Sequence, residues 1–138
     1  MYASSFNQPI GDWDVSNLTS LNQLFFEAAE FNQDLSNWNV SNVSGFTTVF
    51  AGASSFSQDL TAWDISSATS MFQMFNNSGL STGNYSALLI AWADLGASTP
   101  QDVSLDAQGI QYSASAVTAR ETLINDHGWN INDGGMEE

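Results

Sequence analysis

FNQDLSNWNVSNVSGFTTVF, residues 31–50, is the middle copy of a unit that returns every 25 residues. Phe6, Phe31 and Phe56 keep that step, as do Trp13, Trp38 and Trp63, and Val15, Val40 and Ile65. Gln8, Gln33 and Gln58 follow it too, and Phe25, Phe50 and Phe75 close the unit. Three copies fill residues 3 to 77, and the phase breaks at NNSGLSTG. A fixed period of this length is the mark of a stacked-repeat architecture, in which each unit buries its apolar face only against its neighbours. Within the quoted copy, Trp38 and Val40 alternate with Asn37, Asn39 and Ser41, the period of a strand. Val43, Phe46, Val49 and Phe50 then recur at the spacing of one face of a short helix. Thr19, Ser44 and Thr69 stand ahead of that turn as caps. The expected fold class is therefore α/β: a leucine-rich-repeat-type solenoid of three strand-plus-short-helix coils over residues 1–79. Tyr2 and Ala3 continue the pattern of Phe50–Ala53, so the reading predicts preceding repeats in a longer parent chain and an exposed edge on the first coil.

The rest of the chain reads as an α/β C-terminal cap over residues 80–132. NYSALLIAWADLG is an amphipathic helix with Asn84 as N-cap and Gly96 beyond its end. DVSLDAQGIQY reads as one or two short strands, and WNIN as a last strand. SASAVTARETLINDHG is a second helix, capped by Ser113 or Ser115 and stopped at Gly128. Residues 133–138 read as a disordered tail.

Composition narrows the function. Fifteen acidic residues face one basic residue, Arg120, for a formal charge of −14. Phosphate recognition needs Lys and Arg to displace counterions, so nucleic acid is excluded as a partner, and docking on an anionic membrane surface is disfavoured equally. No apolar run is long enough to span a bilayer. There is no Cys, hence no disulfide framework and no thiolate chemistry.

SFNQPIGDWDVSNLTSL, EFNQDLSNWNVSNVSGF and SFSQDLTAWDISSATSMFQMF resemble the repeat of the BspA-like leucine-rich-repeat surface proteins, in the variant first noted in mycoplasma lipoproteins. The resemblance covers residues 2–77. The segment after it is similar to the terminal segment that often follows such arrays in marine bacteria. The second copy departs from the family pattern, with Asn39 in place of Asp and Gly45-Phe46 in place of the Met region. The resemblance implies an exported or cell-surface bacterial protein concerned with adhesion, and it implies no catalytic residues.

The residues allow several chemistries. Trp13, Trp38 and Trp63 could form an exposed sugar-stacking ladder, but they share parity with Val15, Val40 and Ile65, which favours the core. The opposite face carries Asp12, Asp14, Asn37, Asn39 and Asp64, the candidate ligand-binding set for an extracellular protein or glycan. Stacked carboxylates repel unless screened or bridged, so Ca²⁺ at Asp14 and Asp64 is the alternative use of that face. Asp34, Asp59, Asp102 and Asp106 are weaker calcium donors, and no other cofactor is implied. Asn7-Gln8, Asn32-Gln33 and Ser57-Gln58 suit a side-chain amide ladder inside the array. Catalysis is not expected: the acidic pairs are generic, His127 is the only imidazole, and no nucleophile motif or phosphate loop is present. The expected function is a non-catalytic extracellular recognition or adhesion module; the alternative is a purely structural spacer or cap, Ca²⁺-stabilised or not.

Overall fold

The computed structural model describes residues 3–138; Tyr2, used above to extend the pattern, lies outside them. Each repeat is a succession of turns. The expected strand over 37–41 and helical turn over 43–50 are both absent. Ser36-Asn37 and Ser41-Asn42 are turn formers, and they split the strand-like stretch into two turns closed by Trp38 N–H to Leu35 and Val43 N–H to Val40. The period-two burial survives: Trp38 and Val40 are buried and Asn39 is exposed between them. Only the backbone pairing is different.

The apolar spacing read as a helix serves another purpose. In the first repeat, Leu24 N–H bonds to Leu21 and Ala28 N–H to Phe25, with Gln23 and Glu27 at φ 63° and 59°. Positive φ at the third residue is the pattern of type II turns, and two follow one another. Such turns leave alternate N–H groups pointing along the stack. Leu21, Gln23, Phe25 and Glu27 donate to the carbonyls of Gly45, Thr47, Val49 and Ala51 at 2.8–2.9 Å. Phe46, Thr48, Phe50 and Gly52 repeat the ladder to Ser70, Phe72, Met74 and Asn76 at 2.9–3.0 Å. Parallel bridges Ser20–Gly45 and Gly45–Ser70 mark the same register. An eight-residue helix containing Gly, Ser and two Thr is unstable on its own, and the inter-repeat ladder takes its N–H groups instead. Gly52 occupies the αL position (φ 75°) that Glu27 and Asn77 fill in the neighbouring repeats.

Aromatic columns fill the interior. Phe6, Phe31 and Phe56 stack at 5.7 and 6.0 Å, and Phe25, Phe50 and Phe75 at 5.6 and 5.7 Å. The columns touch at 4.0 Å through Phe25–Phe31 and Phe50–Phe56. Trp38 and Trp63 are buried, and their indole N–H groups donate to the carbonyls of Ile10 and Leu35. Trp13, read with them as core, is 62% exposed because no repeat lies over it among the described residues. Asn7 Oδ1 accepts from Asn32 N–H and Gln33 Nε2, and Asn32 Oδ1 accepts from Ser57 N–H and Gln58 Nε2, forming an amide ladder.

The C-terminal region closes the far end. Helix α1 spans Thr82–Ala93; its N-cap is Ser81, whose hydroxyl accepts from Asn84 N–H, and not Asn84 itself, which donates sideways to Ser57. Strand β1 (Ser104–Ala107) lies on the third repeat, helix α2 (Val117–His127) ends at αL Gly128, and strand β2 (Asn130–Asp133) pairs parallel to β1 from Ser104–Asn130 to Ala107–Asp133. Residues 133–137, expected to be disordered, are held: Gly134 N–H bonds to Ile110, Tyr112 N–H to Gly135 and Glu137 N–H to Tyr112.

Candidate functional site

The junction between the third repeat and β1 is imperfect, and the imperfection creates a cleft. Met71, Phe75 and Asn77 donate to the carbonyls of Ser104, Asp106 and Gln108, but a strand rises faster than a chain of turns. Four residue steps of β1 and its extension therefore span six steps of the repeat. The N–H left over, that of Gln73, is taken by the carboxylate of Asp106 at 2.8 Å, a side chain standing in for a missing carbonyl. Asp106 Oδ1 accepts in turn from Asn132 Nδ2 at 3.0 Å, and Asn76 Oδ1 from Gln108 N–H at 2.8 Å.

Phe72, Gln73, Asn76, Asp106, Gln108, Asn132 and Asp133 thus line a cleft of about 310 Å³. Phe72 has its backbone fixed on both sides and its ring half exposed. Asp133, at the base, is committed: Arg120 Nε donates to Oδ2 at 2.9 Å, Tyr85 hydroxyl to the same oxygen at 2.7 Å, and Gly135 N–H to Oδ1 at 3.0 Å. Arg120 also lies over the Tyr112 ring, 4.9 Å from its centroid. Burial, and then the Asp133 carboxylate beside it, push the Tyr85 hydroxyl well above its ordinary value. With both carboxylates engaged inside the fold, the groups left to meet a ligand are one aromatic face, the neutral amides of Gln73 and Gln108, and the capacity of the Asn132 amide beyond its bond to Asp106; such amides both donate and accept. An aromatic wall with a few convergent neutral polar groups suits a polyhydroxylated ligand better than an ionic one.

The residues expected to form a polar strand face stand elsewhere, on turns. Asp14, Asn39 and Asp64 occupy one position in successive repeats, and each accepts from the N–H of the serine two residues on, at 3.0 Å. The Ser16 hydroxyl, and then its N–H, hold the Asp14 carboxyl below its ordinary value; Ser66 does the same for Asp64. Hydroxyl and amide donors of Ser36 and Thr61 likewise lower Asp34 and Asp59. Asp12 and Asn37 meet in a shallow groove of about 220 Å³ with Pro9, Gly11, Gln33 and Asp34. The expected set is thus divided, with Asp12 and Asn37 in that groove and Asp14, Asn39 and Asp64 in a column of self-bonded turns. Among the described residues no three His, Asp or Glu side chains converge as a metal site, and no helix is long and apolar enough to cross a membrane. His127 lies with Nδ1 2.8 Å from the Gln101 side-chain amide.

Sequence reasoning passed over the cleft because Phe72, Gln108 and Asn132 come from separate segments. One signal was available: Phe72 breaks a polar column whose other members are Asn22 and Thr47.

The family described as Mycoplasma protein of unknown function, DUF285, matches residues 1–87, well over half of the chain. No curated protein and no solved structure matches it.

Proposed function

The chain belongs to the DUF285 family, and on that premise we propose that it is a non-catalytic extracellular recognition or adhesion module of a bacterial surface protein, of the BspA-like leucine-rich-repeat type, whose three coils form a solenoid closed by an α/β cap. Its ligand is an extracellular glycan, seated in the cleft where the third repeat meets β1. One observation supports this above the rest: the Phe72 ring is presented beside Gln73, Gln108 and Asn132 while the two carboxylates of the cleft are bonded within the fold. The test is a binding screen against extracellular glycans and matrix peptides. The chain should bind a glycan, and Phe72→Ala should abolish binding while the melting temperature stays put. A screen without hits, or binding that survives Phe72→Ala, refutes the assignment. Loss of binding on replacing Asp14, Asn39 and Asp64 with alanine, with Phe72→Ala still binding, would move the site to the turn column.

A second reading, a structural spacer, draws on a separate observation: Asp14, Asn39 and Asp64 each turn one side-chain oxygen, Oδ1, back onto their own turn. In that case the module binds nothing, and Ca²⁺ bridging the acidic column would raise its melting temperature where Mg²⁺ and matched NaCl do not.

A further inference from the structure

The two carboxylates of the cleft differ in what balances their charge. Asp133 is paired with Arg120, Nε to Oδ2 at 2.9 Å, so the base of the cleft is electrically neutral. Arg120 is the one Lys or Arg in the sequence, and this pairing commits it. Asp106 has no such partner. Gln73 N–H donates to its Oδ2 and Asn132 Nδ2 to its Oδ1, and both donors are uncharged. They fix the carboxylate in place without cancelling its charge. Asp106 is 9% exposed, and a charge held in the wall of a cleft is screened less than one in open water. Nor does the ladder by itself require that charge. At the same junction the amide oxygen of Asn76 accepts from Gln108 N–H, and between the first two repeats that of Asn22 accepts from Thr47 N–H. An asparagine at position 106 would therefore serve Gln73 as well.

We infer that Asp106 is a specificity-determining residue of the cleft, which, resting on the glycan reading, admits uncharged sugars and rejects those bearing a carboxylate, sulfate or phosphate. An anionic sugar stacked on Phe72 brings a second negative charge beside Asp106, and no other Lys or Arg exists to offset it. Like charges set together at a binding site are a strong device against the wrong partner. A neutral sugar meets no such repulsion. Its hydroxyls donate to the lone pairs that Asp106 has left and exchange bonds with the Gln73 and Gln108 amides.

Calorimetric titration with matched oligosaccharides tests this. Gluco-, manno- and galacto-configured pairs are used, the members of each differing only in a hydroxymethyl group or a carboxylate at the same carbon. The neutral member of at least one pair should bind, Phe72→Ala should abolish that binding, and the carboxylate member should bind at least about tenfold more weakly. Asp106→Asn should narrow the gap several-fold. Asp59→Asn removes the same unit of charge outside the cleft and should leave the gap as it is. Added NaCl should narrow the gap in the unaltered chain, a readout that needs no variant to fold. Equal affinity within a pair, tighter binding of the carboxylate member, a gap insensitive to NaCl, or equal narrowing by Asp106→Asn and Asp59→Asn overturns the inference; neutral binding that still depends on Phe72 then leaves the cleft standing as the glycan site. No binding by any member, or binding that survives Phe72→Ala, overturns the cleft reading and the inference with it.

Discussion

Truncating Phe50 to alanine tests the stacking directly. Its ring is fully buried and has four aromatic neighbours: Phe56 at 4.0 Å, Phe25 at 5.6 Å, Phe75 at 5.7 Å and Trp63 at 6.2 Å. Removing a buried phenylalanine costs about 3–5 kcal/mol in transfer and cavity terms. Because rings lie on both sides of Phe50, the repeats cannot collapse into the hole, so about 4 kcal/mol is expected. Phe6 is the counterpart at the open end, only partly buried, with Phe31 at 5.7 Å on one side. Phe6→Ala should cost about 1–2 kcal/mol, since part of that area is already in water. Urea denaturation gives both values from midpoints at constant m. A domain of this size has about 5–15 kcal/mol to lose, so Phe50→Ala should be folded but fragile. Equal costs for the two variants, or a Phe50→Ala cost under about 2 kcal/mol, would refute the picture of an interior stacked from both sides.

Other perturbations separate the remaining contacts. Asp133→Ala strands the partly buried Arg120 and should cost about 3–5 kcal/mol, whereas Asp133→Leu with Arg120→Met removes the stranded charge but leaves the Tyr85 hydroxyl and Gly135 N–H without their acceptor, so it should recover only part of that loss; denaturation of the single and double variants decides. Asn32→Ala removes the acceptor of Ser57 N–H and Gln58 Nε2 and should lower stability by about 1 kcal/mol. In the acid range, Asp14, Asp34, Asp59 and Asp64 are held below their ordinary value of 3.8. Their contribution is present in full above that value and is lost as pH falls through the lower folded values. Asp59→Asn and Asp64→Asn should therefore flatten the acid limb of a melting-temperature profile. At the alkaline end, Tyr85 is raised above 10.0, so its contribution is complete below pH 10 and declines above it; Tyr85→Phe should remove that decline.

Burial was legible in the sequence, and backbone pairing was not. The 25-residue step and the parity of Trp38 and Val40 report which side chains are inside, as does the recurrence of Phe25, Phe50 and Phe75. Parity is the same for a strand and for paired turns that bury alternate residues, so the Asx-type turns at Asp14, Asn39 and Asp64 were invisible to it. Their signature was the acidic or amide residue two places before a serine. The Val43–Phe50 spacing fits a helix, but apolar periodicity does not say where N–H groups go; here they go to the next repeat. The helix start moved to Ser81 because its hydroxyl, three residues before Asn84, reaches the free N–H. The composition of the tail points to disorder, but Gly134 permits a close approach to the Ile110 carbonyl and Gly135 supplies a left-handed φ of 85°. The cleft is a product of the mismatch between turn rise and strand rise, which no single segment encodes.

Amide-resolved NMR titration with the strongest glycan from the screen tests the functional account most directly. The account predicts saturable shifts confined to the Gln73, Gln108 and Asn132 side-chain amides and the backbone around Phe72, all absent in Phe72→Ala. Shifts confined to Asp12, Asp14, Asn37, Asn39 and Asp64, or no shifts at any glycan concentration, would contradict it.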